Sequence, residues 1–137
     1  KSCGKMYLID TNIFLEILLE QEKSKECEEL ISRLNQIEEY FYVSSFTLHS
    51  IEVVMTKQNK TDALKEFLLD ILSSRIIEIG TNAMDELNAL KIMRKFNLDF
   101  DDALQTYICE NHKLKIISVD RHFDKTSIKR LEPKSFI

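Results

Sequence analysis

The sequence predicts an α/β fold in which helices cover both faces of a mainly parallel sheet of four or five strands. Short apolar runs alternate along the chain with longer segments whose apolar residues recur at helical spacing. Only two glycines and one proline are present, and no low-complexity linker divides the chain. Strands that alternate with helices in this way form three-layer α/β/α sandwiches with parallel strands.

Two strands and four helices are predicted in the first half of the chain. The strands are Met6–Ile9, which ends at Asp10, and Phe41–Val43. Apolar residues spaced three and four apart predict a short helix through Leu18, a helix over Ser24–Glu38, a helix capped by Ser44 or Ser45, and a helix capped by Thr61. The apolar stripe of that last helix consists of Ala63, Leu64, Phe67, Leu68, Ile71 and Leu72.

The second half continues the alternation. Ile76–Ile79 is a predicted strand closed by Gly80, and a helix then begins at Thr81 or Asn82 and runs to about Phe96. Asp101 and Asp102 open a further helix that turns Leu104, Tyr107 and Ile108 inward. Lys115–Val119 is the fourth strand and ends at Asp120, and the tail can add a short edge strand near Leu131 or Phe136.

The bulk composition predicts one folded domain over residues 6–137. The chain has 137 residues, of which 44% are hydrophobic and 31% are charged, as in a globular protein with its own core. Residues 1–5 do not contain the apolar segment that is typical of a signal peptide, so we interpret them as an N-terminal extension or tag remnant. No apolar run approaches the roughly 18–20 residues that cross a bilayer, so we expect no membrane partner and a cytoplasmic location.

Charge is unevenly distributed along the chain. The net charge is −4, but from Lys113 onward there are seven basic residues against three acidic ones. This basic end either contacts phosphates or simply keeps a surface hydrated. The three cysteines lack CxxC spacing, and Cys27 falls in an apolar helical phase. The three histidines lack metal-ligand spacing, so we assign none of them to a site.

Four acidic residues fall at positions that a parallel sheet would bring together. Asp10 and Asp120 follow the first and fourth strands, Glu52 lies in the helix after the second strand, and Asp102 starts the helix that leads to the fourth strand. In open α/β sheets the ligand crevice lies outside the carboxyl ends of the strands, where the strand order reverses. We therefore expect these four side chains to gather at one edge of the sheet.

Clustered carboxylates predict a metal centre. They repel one another unless a cation intervenes, and Mg²⁺ or Mn²⁺ prefers carboxylate and water oxygens. One or two such ions, in the latter case about 4 Å apart, activate water for phosphodiester hydrolysis without a catalytic His, Ser or Cys. Each acid alone has a simpler explanation as a helix cap, a turn residue or a solvated side chain. Their joint occurrence at strand ends favours the metal centre.

Four motifs in order resemble the PIN-domain family across Met6 to Phe136. Tyr7–Asn12 looks like its first motif, a hydrophobic strand followed by Asp-Thr-Asn. Ser44–Leu48 followed by Glu52 looks like the second, and Asp102-Ala103-Leu104 with Tyr107 looks like the third. Ile117–Phe123 looks like the fourth, with Ser118 in place of the commoner Thr. Asp99 and Asp101 are alternatives for the third acidic position, and we choose Asp102 from the residues that follow it.

The resemblance implies a metal-dependent endoribonuclease. It makes Asp10, Glu52, Asp102 and Asp120 the candidate catalytic acids, with Asp10 and Asp102 as direct metal ligands. Asn12 and Ser118 would orient these carboxylates. Small members of this kind are often VapC-type toxins of prokaryotic toxin–antitoxin pairs. The further implications are an RNA substrate, a homodimer and an antitoxin protein that occludes the acidic groove.

Two other functions compete with this interpretation. One is a PIN-fold protein that binds RNA or another protein without cleaving it. The other is a receiver-type domain, in which an aspartate at a strand end accepts a phosphoryl group beside Mg²⁺. A receiver requires an acidic pair after the first strand and a lysine after a late strand. Asp10 is alone after its strand, and Asp120 occupies the place of that lysine.

Overall fold

Five parallel strands form the central sheet of the protein, as seen in a computed structural model that describes residues 5–137. Their order across the sheet is β3-β2-β1-β4-β5. The strands are β1 (Met6–Ile9), β2 (Tyr40–Ser44), β3 (Ile77–Ile79), β4 (Lys115–Ile117) and β5 (Arg130–Leu131). The predicted α/β fold with a parallel sheet of four or five strands is confirmed. Apart from Lys5, the predicted N-terminal extension 1–5 lies outside the described residues.

Six α-helices connect the strands. They are α1 (Thr11–Leu18), α2 (Ser24–Arg33), α3 (Ser45–Lys57), α4 (Thr61–Ser73), α5 (Ala83–Phe96) and α6 (Phe100–His112). Three short 3-10 helices cover Leu34–Gln36, Arg121–Lys125 and Pro133–Phe136. Within residues 5–137, no helix combines the length and the apolar character that crossing a bilayer requires.

The sheet separates two apolar cores, which makes the fold three-layered. Alternate residues of β1 point to opposite faces, so Ile9 packs against α1–α4 whereas Leu8 packs against α5 and α6. In β4, Ile117 and Ile116 divide in the same way. All four side chains are completely buried (0% exposed). A strand that is buried on both faces has no polar alternation, which is why β1 and β4 are continuous apolar runs in the sequence.

The strand order reverses between β1 and β4. The chain builds β1, β2 and β3 toward one edge and then crosses over to add β4 and β5 on the other side. In the β1–β4 pair, Ile9 lies opposite Ile117, so these two strands end side by side. The residues that follow them, Asp10 and Ser118, are therefore neighbours at the topological switch point, where open α/β sheets bind ligands.

Several predicted element boundaries are wrong. The second helix ends at Arg33 and tightens into a 3-10 turn, whereas the apolar spacing predicted a helix up to Glu38. The fourth strand ends at Ile117 and not at Val119. Asp101 and Asp102 do not open the sixth helix, because Asp99 is its N-cap and both residues lie in its first turn.

Two predictions for α4 also fail. Thr61 is the first residue of this helix and not its cap, because the N-cap residue is Lys60 and its side chain makes no capping hydrogen bond. Leu72 belongs to the predicted apolar stripe, yet it is 76% exposed, whereas Leu64, Phe67 and Ile71 are buried. Leu72 directly follows the buried Ile71 in α4. A step of one residue turns a helical side chain by about 100°, so Leu72 faces solvent.

The described cysteines are core residues. Cys27 on α2 and Cys109 on α6 are buried and free, which confirms the packing role predicted for Cys27. Burial raises the pKa of Cys27 to about 12 and also raises the pKa of Cys109, so neither is a reactive thiolate. Cys3 lies outside the described residues.

Candidate metal centre

Asp10 is a buried carboxylate that joins β1 to α1. It is the N-cap of α1, and its Oδ1 accepts a hydrogen bond from the backbone N–H of Thr11 at 2.8 Å. Its Oδ2 accepts a hydrogen bond from the Ser118 hydroxyl at 2.7 Å. Only 2% of Asp10 is exposed. Burial raises its pKa to about 7, and the negative charges of Asp101 and Asp102 add to that rise, against the Ser118 hydrogen bond.

Ser118 connects the predicted site residues at the ends of β1 and β4. Its own backbone N–H bonds to Leu131 of β5 at 3.0 Å, which fixes its position beyond β4. While its hydroxyl donates to Asp10, it accepts from Asn12 Nδ2 at 3.2 Å and from the backbone N–H of Asp120 at 2.9 Å. The side chain is completely buried (0% exposed). The Ser118 hydroxyl thus fixes the Asp10 carboxylate, the Asn12 amide and the Asp120 backbone relative to one another.

Asp102 faces the same region from the first turn of α6. Asp99 caps this helix by accepting a hydrogen bond from the Asp102 N–H at 3.0 Å. Asp102 itself is 6% exposed. Burial raises the pKa of Asp102 to about 6, and repulsion from Asp99 and Asp120 adds to the rise, whereas His122 opposes it.

Asp120 and His122 complete a compact group of donor atoms with Asp102. Asp120 caps the 3-10 helix Arg121–Lys125 by accepting from the His122 N–H at 2.9 Å. The His122 Nδ1 atom lies 3.1 Å from Asp120 Oδ1 and 3.2 Å from Asp102 Oδ2. One ligand atom from each of these three residues lies within 4.8 Å of the other two.

Asp101 adds a further carboxylate to the region. Burial, followed by repulsion from Asp102, Asp99 and Asp120, raises its pKa to about 6. Its Oδ1 is shielded from solvent and has no hydrogen-bond partner among the described residues. The three alternatives for the third acidic position thus differ in role, since Asp99 caps α6 while Asp101 and Asp102 both act electrostatically on Asp10.

Glu52 is the predicted acid on α3. It lies about two turns into α3 and is half-buried. Asp10, Asp102 and Asp120 lie around the ends of β1 and β4, and the role of Glu52 stays a prediction.

Sequence reasoning missed a buried polar network behind Asp10. Gln105 donates to the Thr47 hydroxyl at 2.8 Å and approaches Asp10 Oδ1 at 3.4 Å. The hydroxyls of Thr11 and Thr47 share a hydrogen bond of 2.8 Å, and Ser44 donates to Gln105 Oε1 at 3.0 Å. Gln105 lies three residues after Asp102, so helical spacing places both on one face and was the available signal.

His122 was also missed, for a clear reason. The sequence offers three histidines with no ligand spacing among them, and ligand spacing was the criterion applied. The relevant relation is to carboxylates, one of them two residues away and the other twenty residues away in sequence. The signal available in the sequence was its position directly after Asp120-Arg121, in the motif at the end of the fourth strand.

The residues present fit a divalent cation. Burial and mutual repulsion raise the pKa values of Asp10, Asp101 and Asp102 together, so a positive charge beside them would stabilise their ionised forms. Among the described residues, no Lys or Arg forms an ion pair with any of them. Carboxylate oxygens are the donors that Mg²⁺ and Mn²⁺ accept.

An apolar cavity lies elsewhere on the protein. It has a volume of about 390 Å³, lies between α1, α2 and α4, and is lined by Phe14, Ile31 and Phe67 among others. None of the four predicted acids lines it. The shape of the surface alone would therefore direct attention away from Asp10, Asp102 and Asp120, and the acidic group is the better indicator of chemistry here.

Comparison with solved structures agrees with the fold. VapC20 of Mycobacterium tuberculosis, a sarcin-ricin loop cleaving toxin, is 12% identical with a TM-score of 0.75, over 89% of this chain and 95% of that one. VapBC2 of Rickettsia felis, solved with a promoter DNA fragment, is 15% identical with a TM-score of 0.72, over 93% and 98%.

A toxin–antitoxin complex from Klebsiella pneumoniae is 17% identical, with a TM-score of 0.67 over 93% of this chain and 97% of that one. No curated protein matches the sequence. The family model of the PIN domain matches residues 7–129, which include Asp10, Glu52, Asp102 and Asp120. The resemblance that the four motifs predicted is confirmed, and the chain belongs to the PIN domain family.

Proposed function

We propose that the protein is a metal-dependent endoribonuclease and the toxin of a toxin–antitoxin pair, with residues 6–137 as its nuclease domain. The observation that carries the proposal is the meeting of Asp10, Asp102 and Asp120 at the switch point of the sheet. They come from three separate parts of the chain. Asp10 and the backbone of Asp120 bond to one hydroxyl, that of Ser118, beside the switch point where such sheets bind ligands. The charge of Asp102 acts on Asp10, and that of Asp120 acts on Asp102. Membership of the PIN domain family and the similarity to VapC structures support it.

In this proposal, Asp10, Asp102 and Asp120 hold one or two Mg²⁺ or Mn²⁺ ions. When bound, such an ion lowers the pKa of water and offsets the charge of the phosphate. The Ser118 hydroxyl, which also accepts from Asn12, fixes the Asp10 carboxylate relative to the backbone of Asp120. The network of Gln105 and Thr47 packs hydrogen-bonded polar groups directly behind Asp10.

We keep Glu52 in the proposal, with a smaller role than the other acids. Glu52 is half-buried on α3, so its carboxylate can act on the ion through a water molecule. Asp101, in contrast, is one of the charges that raise the pKa of Asp10. We therefore assign the larger role to Asp101 and expect a smaller effect from the loss of Glu52. Of the basic residues beyond Lys113, Arg121 is exposed directly beside Asp120 and is our candidate for a phosphate contact.

The partners follow from the same proposal. The substrate is RNA, in keeping with the loop-cleaving activity described for the similar VapC20, and the location is cytoplasmic. An antitoxin is proposed because several similar structures are toxin–antitoxin complexes. A homodimer is proposed because the resemblance to small VapC-type toxins implies one.

The receiver-type alternative is not supported by the fold. Receiver domains have the strand order 2-1-3-4-5, in which the first strand is second from one edge. Here the order is β3-β2-β1-β4-β5, and β1 is the central strand. The difference is one of connectivity and does not depend on any side chain.

The proposal is tested by incubating a mixed RNA substrate with wild type and with Asp10→Asn, each with Mg²⁺, with Mn²⁺ or with EDTA. We expect wild type to cleave only with a metal, and Asp10→Asn to lose about 100-fold or more in rate, because a carboxylate ligand is replaced by an amide. The exposed Asp70→Asn on α4 is the matched control and keeps full activity.

Two results would contradict the proposal. RNA that binds to wild type without giving products, under every metal condition, would indicate a PIN-fold binding module. Cleavage that persists in EDTA, or in Asp10→Asn, would show that the acidic group is not the centre. Circular dichroism of each variant separates loss of chemistry from loss of fold.

A further inference from the structure

The imidazole of His122 lies between two of the proposed metal ligands. Its Nδ1 is 3.1 Å from Asp120 Oδ1 and 3.2 Å from Asp102 Oδ2. Donor atoms that share one cation at bond lengths of 2.0–2.1 Å lie roughly 2.8–3.4 Å apart, the shorter value for octahedral and the longer for tetrahedral geometry. The observed separations fall within that spacing, and the side chain is 64% exposed, so no packing blocks this side of the group.

The backbone fixes His122 in this place. Its N–H donates to Asp120 Oδ1 at 2.9 Å, at the start of the 3-10 helix Arg121–Lys125. The next residue, Phe123, is completely buried (0% exposed) in the core against α6, which anchors the turn. The position of the His122 backbone therefore follows from the fold, and the two contacts of Nδ1 orient the imidazole.

A nitrogen donor changes which ion the centre prefers. Mg²⁺ takes oxygen ligands and retains its waters, whereas imidazole suits borderline ions, and Mn²⁺ accepts both carboxylate and imidazole donors. A group of two carboxylates and one imidazole is thus better matched to Mn²⁺ than a group made of carboxylates alone. The neutral imidazole also adds a ligand without adding to the negative charge of this group.

We propose that His122 is a direct ligand of the bound ion and that its nitrogen makes the centre select Mn²⁺ over Mg²⁺. This inference rests on the proposed metal centre and adds to it the identity of the ion and a residue outside the acidic set. His122 binds through Nδ1, the atom that faces Asp102 and Asp120. The competing possibility is that protonated His122 acts as a resident cation in place of a metal.

The test is pulsed electron paramagnetic resonance on the full, tag-free chain loaded with Mn²⁺, at a pH where imidazole is neutral. We expect a directly coordinated nitrogen in the electron spin-echo modulation of wild type. The signal is lost in His122→Asn, which keeps a polar side chain, and it is retained in His112→Asn. His112 is the matched control because it is exposed at the end of α6.

Calorimetric titration of the same proteins gives a second, independent readout. We expect His122→Asn to weaken Mn²⁺ binding by at least about tenfold while Mg²⁺ binding changes by less than about threefold. Bound Mn²⁺ without nitrogen coupling would overturn the inference and leave the metal centre intact, as would tighter binding of both ions by His122→Asn. Failure of wild type to bind Mn²⁺ or Mg²⁺ would overturn the metal centre itself.

Discussion

Single residues at the switch point depart from the usual rules of burial, and the departures are concentrated around Ser118. Asp10 and Asp102 are 2% and 6% exposed, although unpaired carboxylates are rarely buried. Hydrogen bonds from Ser118 and Thr11 satisfy the Asp10 oxygens without neutralising the charge. The side chains are thus positioned in advance while their charge is left for a cation.

Ser118→Ala tests this positioning role. The variant removes the donor to Asp10 Oδ2 and the acceptor for Asn12 Nδ2 and the Asp120 N–H. We expect RNA cleavage to fall about 10–100-fold, as for other groups that orient metal ligands. The free energy of unfolding should fall by about 1–2 kcal/mol because buried polar groups lose their partner. Cleavage rates and urea titrations provide the measurements.

Ser118→Thr is the matched control because it keeps the hydroxyl, and Thr is the commoner residue in the motif that Ser118 resembles. It should retain most of the activity. If Ser118→Ala cleaves RNA as fast as wild type, the hydroxyl does not position the acids, whatever its effect on the stability of the fold.

At the scale of elements, caps place the acids. Asp10 caps α1, Asp99 caps α6 just ahead of Asp101 and Asp102, and Asp120 caps the 3-10 helix that carries His122. Helix N-termini favour negative charge through their unpaired N–H groups and dipole. The cap explanation and the metal explanation for these acids are therefore compatible, because the cap fixes where the neighbouring carboxylate points.

Removing the cap of α6 should affect both stability and metal binding. Asp99→Ala loses the acceptor for the Asp102 N–H, at a cost of about 1 kcal/mol in the free energy of unfolding. The first turn frays, so we also expect Mn²⁺ to bind several-fold more weakly, as measured by calorimetry. Asp99→Asn removes the charge but still caps, and should keep both properties.

Asn82→Ala is the comparison for a cap that is remote from the acids. Asn82 caps α5 through a reciprocal pair of hydrogen bonds with Asp85. Its loss should destabilise the fold by a similar amount and leave Mn²⁺ affinity unchanged. If Asn82→Ala and Asp99→Ala weaken metal binding equally, general destabilisation and not the position of Asp102 controls the affinity.

At the scale of the whole molecule, the order of the strands in the sheet brings the acidic side chains together. The crossover from β3 to β4 brings the ends of β1 and β4 together, although more than 100 residues separate Ile9 from Ile117. The acids that follow these strands are then buried near one another. Their repulsion opposes folding when no cation is bound, so the stability of the metal-free protein should depend on pH.

The direction of that dependence follows from the raised pKa values. Asp10 has a pKa of about 7 in the folded protein against 3.8 when unperturbed. Between these values the folded state binds more protons than the unfolded state, so the free energy of unfolding decreases as pH rises. The stabilising contribution is complete below about pH 4 and is lost as pH rises through about 7. Asp101 and Asp102, with pKa values of about 6, act in the same direction.

Asp10→Asn should remove the largest part of this pH dependence. We expect the variant in EDTA to be as stable as wild type near pH 4 and more stable by about 1–3 kcal/mol near pH 8. Denaturant titrations across this range give the measurement. Saturating Mn²⁺ should abolish the advantage because wild type then binds the ion more tightly. If the difference in the free energy of unfolding between Asp10→Asn and wild type did not vary with pH, ionisation of Asp10 would not be what destabilises the metal-free fold.

The sequence by itself determined the fold class and the three acids at the switch point. Apolar runs and helical spacing are local patterns, and an aspartate that follows a strand must lie at the carboxyl edge of a parallel sheet. Asp10 and Asp120 could be placed for that reason, and Asp102 because it lies at the start of the helix that leads to β4.

Only the tertiary structure decided which other side chains join them. The side chains in question are those of Glu52, Asp101, Gln105 and His122. Whether each of them faces the acids depends on the phase of a helix, on the position of its cap and on which strands pair. These are set by packing between residues that are distant in the chain, and a shift of one residue turns a helical side chain by about 100°. The local pattern does not contain that information.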